Sequence, residues 1–439
     1  MSASDFVNTA VEGALDAAPA LAAMPPAARR DLLHAAADAL AARGEEIIKV
    51  AADETGLTTA RLTGELDRTT NQLRLLGDYV AAGRHLSARV SPEAGLRQIV
   101  VPIGPVAVFA ASNFPLAFGI LGGDTGSALA AGCPVVVKAH PAQPLTSRLL
   151  AEIVTPVFPP GFFTMIEGGA DVSLALVAAP GIQAVGFTGS LAGGRALMDT
   201  AAARPQPIPV YAEMGAINPV FVLPGAAADR TRVAALAAAV TGSAGQLCTK
   251  PGLVIVPDSA DGQAFAEDLA AAVAGTEVHR LLTDRMAAGH ADWVSSAGQL
   301  GLPVQVGTSS PAPVAVIAPA SALTGPLLEE HFGPAVVIAT ASPSAFPSLA
   351  GDLEGQLTAT VHASDEDHEA ARVLLPVLAT KAGRIIWNGV PTGVAVVDAM
   401  LHGGPWPATS AAWSTSVGTA AVERFQRPVA LQNVPADLL

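Results

Sequence analysis

Apolar residues recur at helical spacing through the first hundred positions. In "AARRDLLHAAADALAARGEEIIKVAADETG" Leu, Ala and Ile return every three or four residues, and Gly56 offers a stop. "LTGELDRTTNQLRLLGDYVAAG" repeats the pattern. The period then changes. Short continuous apolar runs follow: "VAVFAA" (106–111), "PVVVKA" (134–139), "FTMIEG" (163–168), "AVGFTG" (184–189) and "PIPVYAEM" (207–214). Helical patterns at 115–131, 143–157, 172–178 and 190–203 separate these runs or stand beside them. Short apolar strands alternating with helices predict βαβ units, hence a parallel sheet covered on both faces.

A second series starts after Ala216. It predicts a helix over 226–242, a strand over 252–256, a helix over 261–274 and strands near 313–318, 335–340 and 357–361. A helix over 365–379 and a strand over 383–387 close it, while the Ser/Pro/Gly-rich stretch 307–326 reads as surface loop. No fixed repeat and no low-complexity linker divides the chain. The expected fold is therefore α/β, with two interleaved parallel-sheet units. Residues 1–214 form the N-terminal helices and a Rossmann-like unit, and 215–395 a second unit. Residues 396–439 return after a Gly/Pro-rich loop to the body or to another subunit.

Composition narrows the class. A chain of 439 residues exceeds one ordinary core, and 51% hydrophobic residues exclude general disorder. A formal charge of -14 weighs against nucleic acid or an anionic membrane as partner. The start has no basic segment ahead of an apolar core, and no apolar run reaches spanning length. Two distant cysteines make a disulfide framework implausible, so a reducing, cytoplasmic setting is expected.

Ligands of α/β sheets bind at the carboxyl ends of strands. Those ends carry "SNFP" after 106–111, Lys138, "TGS" (188–190) and Glu213. No G-x-G-x-x-G turn follows any strand, so a dinucleotide would not bind through the ordinary Rossmann glycines. "TGS" does offer backbone N–H groups and a helix N-terminus to a phosphate. Cys133, in "AAGCPVVV", reads as apolar filler. Cys248, in "GQLCTKPG", lies outside any apolar period and reads as a nucleophile on a loop. No His/Cys/Asp group shows metal-ligand spacing, so no metal is required.

Six stretches, "ASNFPL", "ALAAGCPVVVKAHPAQP", "FTGS", "AEMGAINPVFV", "GQLCT" and "EEHFGP", stand in the order and approximate spacing of the aldehyde dehydrogenase superfamily. The chain resembles that family from about Val106 to its end. The resemblance implies a catalytic nucleophile at Cys248, a general base at Glu213 and an oxyanion donor at Asn113. It implies that Lys138, His140, Gly189, Ser190, Glu330 and Phe332 hold NADP or NAD, and that Phe114, Gln246 and Thr249 face the substrate. A thiolate makes the tetrahedral adduct from which hydride departs; a carboxylate then activates water against the thioester.

Two departures carry meaning. The commoner "ELGGK" reads "EMGAI" here, keeping Glu213 but changing its surroundings. The acidic residue often found three positions after the lysine is Pro141, which removes a repulsion against a 2′-phosphate and favours NADP. "GRIIWNGVPTGVAV", "MLHGGPWPATS" and "STSVGTAAVERFQRPVALQN" resemble the α-ketoglutarate semialdehyde (2,5-dioxovalerate) dehydrogenases, where most relatives carry an "FGG-x-K-x-S-G" loop. That resemblance implies a small-molecule aldehyde substrate and a homodimer or homotetramer. The alternatives are dehydrogenases of fatty, succinic or glutaric aldehydes, a CoA-acylating dehydrogenase, and a cofactor-independent thiol esterase. His402 reads as a surface position or a support outside the reacting groups.

Overall fold

The computed structural model describes residues 3–86, 89–435 and 438. Contacts divide the chain into two compact units. One comprises the chain up to Ala212 with Val396–Met400 and Ser414 onward; the other comprises Glu213–Ala395 and Leu401–Trp413. The C-terminal stretch from 396 is thus shared between the units.

The first unit opens with helices Ala3–Ala23, Pro26–Ala42, Gly44–Thr55 and Thr59–Ala81. Gly56 ends the third in the left-handed region (φ 73°), and the Thr58 hydroxyl caps the fourth by accepting the Arg61 N–H. Strands β1 (Val90–Ser91) and β2 (Leu96–Pro102) follow. The expected alternation then appears as β3 (Val106–Phe109), β4 (Val135–Lys138), β5 (Phe163–Ile166), β6 (Ala184–Thr188) and β7 (Val210–Glu213). They form one sheet in the order β5-β4-β3-β6-β7, with parallel pairing at β3–β4, β4–β5 and β3–β6.

In the second unit the strands are β8 (Val220–Val222), β9 (Leu253–Pro257), β10 (Val304–Val306), β11 (Val314–Pro319), β12 (Ala335–Ala341), β13 (Gln356–His362) and β14 (Ala382–Trp387). Their order is β10-β11-β12-β9-β8-β13-β14; only the edge strand β10 pairs antiparallel. Buried side chains cover both faces: Phe221, Ile255, Val316 and Val337 on one, Val222, Val254, Phe265 and Ile338 on the other. Such continuous burial explains why the inner strands β9, β11 and β12 read as unbroken apolar runs. β15 (Gln426–Gln432) returns to the first unit and pairs antiparallel with β2, a small sheet the periodicity does not announce.

Among the differences from the sequence reading, three have a clear local cause. The helix predicted over 115–131 begins only at Gly123. Before it the chain turns tightly: a Cβ at Gly119 would fall 2.0 Å from the Pro115 carbonyl oxygen, and the Ala111 N–H donates to Phe118 O at 2.8 Å. The helix predicted over 226–242 breaks into Pro224–Ala227 and Thr231–Thr241. There Asp229 Oδ1 accepts from the Thr231 N–H and hydroxyl, competing with helical pairing. A helix at Asp284–Gly298, capped by Thr283, went unread because its apolar stripe is sparse. Among the described residues no helix is long and apolar enough to cross a membrane.

Candidate active site

Glu213 closes β7, and the chain then crosses to β8 through "MGAINP". The crossing is held by buried polar side chains. Gln356 Oε1 accepts from the N–H groups of Ile217 and Asn218, both at 2.9 Å. Asn218 sits at φ 52°, and its Nδ2 donates to the carbonyls of Cys248 (2.9 Å), Lys250 (3.1 Å) and Ala216 (3.2 Å). Its Oδ1 accepts from the Thr358 N–H and hydroxyl. One asparagine therefore fastens the cysteine loop to the strand crossing that begins at Glu213.

The loop itself is shaped by backbone geometry. Ser243 (φ 51°), Ala244 (φ 53°) and Gly245 (φ 70°) are successive left-handed residues, two of them carrying a Cβ. Such conformations cost energy and persist only where the surroundings enforce them. At Gly245 a Cβ would fall 2.0 Å from the Gly333 carbonyl oxygen, so only glycine fits. Cys248 follows, half-buried, against Ala216, Leu357 and Ala408.

The third member comes from segment 401–413. The Met214 N–H donates to Ala408 O at 2.8 Å, and Glu213 bridges Thr409, so this segment lies along the end of β7. It delivers His402 to the two predicted groups. His402 Nε2 stands 2.9 Å from Glu213 Oε1 and 3.5 Å from Cys248 Sγ. Both side chains of the His402–Glu213 pair are nearly inaccessible, at 1% and 3%. Ligand atoms of Glu213, Cys248 and His402 all lie within 4.8 Å of one another, a grouping no local spacing discloses. Arg384 lies in the same electrostatic field; burial lowers its pKa and the Cys248 thiolate opposes that effect.

His402 is the member that the sequence reading placed outside the reacting groups. The available signal was "MLHGGPWPATS", where histidine takes the place of the phenylalanine in the commoner loop. Gln246 is used differently from expectation. Its Oε1 accepts from the Leu282 N–H and its Nε2 donates to Ser243 O, so both ends of the amide brace the loop. Thr249, next in the chain to Cys248, is buried.

Glu330 lies against the Glu213 crossing: a Cβ at Gly215 would fall 2.4 Å from its Oε2, and the Ala216 N–H hydrogen-bonds it. Burial raises its pKa to about 7, with Lys250 opposing and Glu213 adding to the rise. Phe332 is partly buried nearby in sequence. Lys250 is driven down to about 8 by burial, Glu330 opposing, while its ammonium donates to Ala335 O at 2.8 Å.

The remaining predicted positions belong to the first unit. Asn113 is buried in the turn after β3, and Phe114 stands half-buried beside it. Lys138 ends β4, 8% exposed, its pKa lowered by burial with the nearby Asp171 carboxylate opposing that shift. Gly189 and Ser190 are exposed at the end of β6, where Ser190 Oγ caps helix Leu191–Ala202 by accepting the Gly193 N–H. Thr188 Oγ1, one residue earlier, is buried with no hydrogen-bond partner among the described residues. A cationic strand end, an open helix N-terminus and an orphaned hydroxyl fit a phosphate-bearing dinucleotide. His140 brings no charge to that group. Its Nδ1 accepts the Ala142 N–H, and burial, then Lys138, lower its pKa to about 4.

The buried imidazoles have a consequence for stability. Burial lowers His85, His140 and His362 to about 4, and lowers His290 and His331 as well. The unfolded chain binds these protons at about pH 6.5, so stability is lost as pH falls from there towards 4. Glu65 and Glu330, raised by burial, oppose this because the folded chain protonates them first. Five imidazoles outweigh two carboxyls. The melting temperature is expected to fall steadily between pH 6.5 and 4.5, and a rise over that interval would overturn the assignment.

The family pattern described as "Aldehyde dehydrogenase family" matches residues 1–291, a span that contains Cys248 and Glu213 but not His402. "Alpha-ketoglutaric semialdehyde dehydrogenase 2" of Azospirillum brasilense is 44% identical across 100% of this chain and 89% of its own length. "Alpha-ketoglutaric semialdehyde dehydrogenase" of Acinetobacter baylyi is 41% identical over 94% and 83%. The structure of lactaldehyde dehydrogenase from Escherichia coli superposes with a TM-score of 0.85, covering 98% of this chain and 91% of that one at 20% identity. That likeness concerns the fold. The sequence match over most of the chain, with relatives alike along nearly its whole length, makes this protein a member of the aldehyde dehydrogenase family, an oxidoreductase acting on aldehydes.

Proposed function

We propose that the protein oxidises α-ketoglutarate semialdehyde to the dicarboxylate, using NADP or NAD, through a thioester on Cys248. The observation that carries the mechanism is the convergence of Cys248 Sγ, His402 Nε2 and Glu213 Oε1. The two relatives above 40% identity, both named for that semialdehyde, support the substrate.

In the neutral tautomer with its proton on Nδ1, His402 Nε2 accepts the Cys248 thiol proton. The Glu213 carboxylate then faces the imidazolium that forms, a favourable arrangement in a desolvated site. The thiolate attacks the aldehyde carbon and yields a thiohemiacetal whose oxyanion needs fixed donors. Asn113 is assigned to that task, and one such donor is worth about 3 kcal/mol of barrier. Lys138, Thr188, Gly189, Ser190, Glu330 and Phe332 would hold the dinucleotide, which supplies the hydride acceptor when bound. Glu213 next takes a proton from water as that water attacks the thioester, and Cys248 leaves as thiolate. His402 thus acts on the thiol in the first half, and Glu213 on water in the second. With Pro141 standing where the family often carries an acidic residue after the lysine, NADP is the favoured cofactor.

The test is a panel of α-ketoglutarate, succinic and glutaric semialdehydes, glycolaldehyde and a long-chain aldehyde, each with NADP and with NAD. The expected result is a kcat/KM for α-ketoglutarate semialdehyde at least tenfold above the others, with NADP preferred. Flat activity across the panel removes the substrate, and a large NAD preference removes the cofactor reading. Acyl-CoA formed on addition of CoA would replace hydrolysis by acyl transfer.

A further inference from the structure

The reacting groups of the second unit also make a metal-ligand set. Thiolate sulfur, imidazole nitrogen and carboxylate oxygen are the donor types that zinc takes from proteins. Among the described residues, Glu213, Cys248 and His402 are the one group of three such side chains whose ligand atoms converge, all within 4.8 Å of one another. They arrive from separate stretches of one unit: the end of β7, the left-handed loop and segment 401–413.

Their spacing suits a bound ion. Zinc bonds of about 2.0–2.3 Å at tetrahedral angles put the donor atoms roughly 3.4 to 3.6 Å apart. His402 Nε2 and Cys248 Sγ already stand at 3.5 Å. His402 Nε2 and Glu213 Oε1, at 2.9 Å, need to open by about half an ångström, within reach of a small side-chain rotation. One atom of each side chain is used, which leaves Glu213 Oε2 and His402 Nδ1 for the partners that orient ligating groups.

Charge favours the same occupant. A thiolate and a carboxylate together cancel a divalent cation, so this buried group is neutral when filled. Cys248 is its one partly exposed member. Magnesium and calcium prefer oxygen donors and find only the carboxylate here. The chain's other cysteine is no rival: the Cys133 sulfhydryl donates to Phe425 O at 3.2 Å, and burial pushes that thiol up to about 11.

We propose that Glu213, Cys248 and His402 form a binding site for Zn²⁺ or another thiophilic divalent cation, whose occupation switches the enzyme off reversibly. The site rests on the roles proposed above for Cys248 and Glu213 and names a regulator of those same groups. On binding, the Cys248 S–H bond breaks, its proton passes to solvent and a sulfur–metal bond forms; no electron is transferred. The sulfur that attacks the aldehyde and the Glu213 oxygen that takes a proton from water are then both committed to the metal.

The experiment strips the full-length protein of metal and titrates it with buffered Zn²⁺, reading bound metal by competition with a chromophoric chelator. One equivalent per chain is expected, with half-inhibition at about 1 µM free zinc or below. EDTA should restore activity, and millimolar Mg²⁺ or Ca²⁺ should leave it unchanged. Co²⁺, as a spectroscopic probe, should give a sulfur-to-metal charge-transfer band that Cys248→Ala lacks. His402→Phe should weaken zinc binding about 100-fold or more in the chelator competition, a readout independent of that variant's activity. Zinc held by both variants as tightly as by the wild type sits elsewhere and overturns the site, as does an active wild type that takes up none. Metal-free Cys248→Ala with wild-type activity instead removes the thioester reading, while the cobalt band still decides the metal site.

Discussion

Replacing Cys248 with alanine is expected to lower kcat/KM for aldehyde oxidation by about 10⁴-fold or more while the fold is retained. The size follows from the chemistry. An aldehyde does not readily surrender hydride until a nucleophile has added to it, and alanine supplies none. Retention of the fold follows from the way the loop is held. Asn218 binds the carbonyl oxygen of residue 248, not its side chain, and Gln246 braces the loop from its own amide. Loss of one half-buried sulfur leaves those bonds intact, so the melting temperature should shift by only a few degrees. Stopped-flow absorbance of the reduced nucleotide and a thermal melt check both parts. Residual activity above about one per cent of wild type would remove Cys248 as nucleophile.

Glu213→Gln should separate the two halves of the reaction. The amide has nearly the same shape and keeps the backbone bonds that tie residue 214 to Ala408, but it accepts no proton from water. The first turnover is expected to proceed, giving a burst of reduced nucleotide near one equivalent per site. Steady turnover should fall about 10²- to 10³-fold because the thioester persists. Mass spectrometry of the trapped protein would find the acyl group on the peptide containing Cys248. In the same assay His402→Phe should slow the burst itself at neutral pH, with rate recovered as the pH is raised and hydroxide takes the thiol proton. If Glu213→Gln slowed burst and turnover equally, its role would belong to the thiol, and the division of labour between the two residues would be wrong.

Much of the architecture was legible in the chain because it depends on local periodicity. Strands buried on both faces must be continuous apolar runs, and β3, β4, β9, β11 and β12 fall where such runs stand. The helix starts marked by Thr58 and Ser190, and the stop at Gly56, are likewise local signals. What failed was also local in its cause. At 115–122 glycine contacts replaced an expected helix, and at 229–231 a side-chain turn interrupted one.

The chemistry divides along the same line. Residue types at strand ends and the cysteine in a glycine-bearing loop are written in the chain, and together with the family resemblance they name Cys248, Glu213, Asn113 and Lys138 as candidates. Tertiary structure alone decided that a histidine 154 positions beyond Cys248 stands at its sulfur, and that Asn218 couples the cysteine loop to the Glu213 crossing. It also turned Gln246 into a brace. Periodicity reports which face of an element is buried. It carries no information about which distant side chains share that buried space, because those distances are set by how whole elements pack.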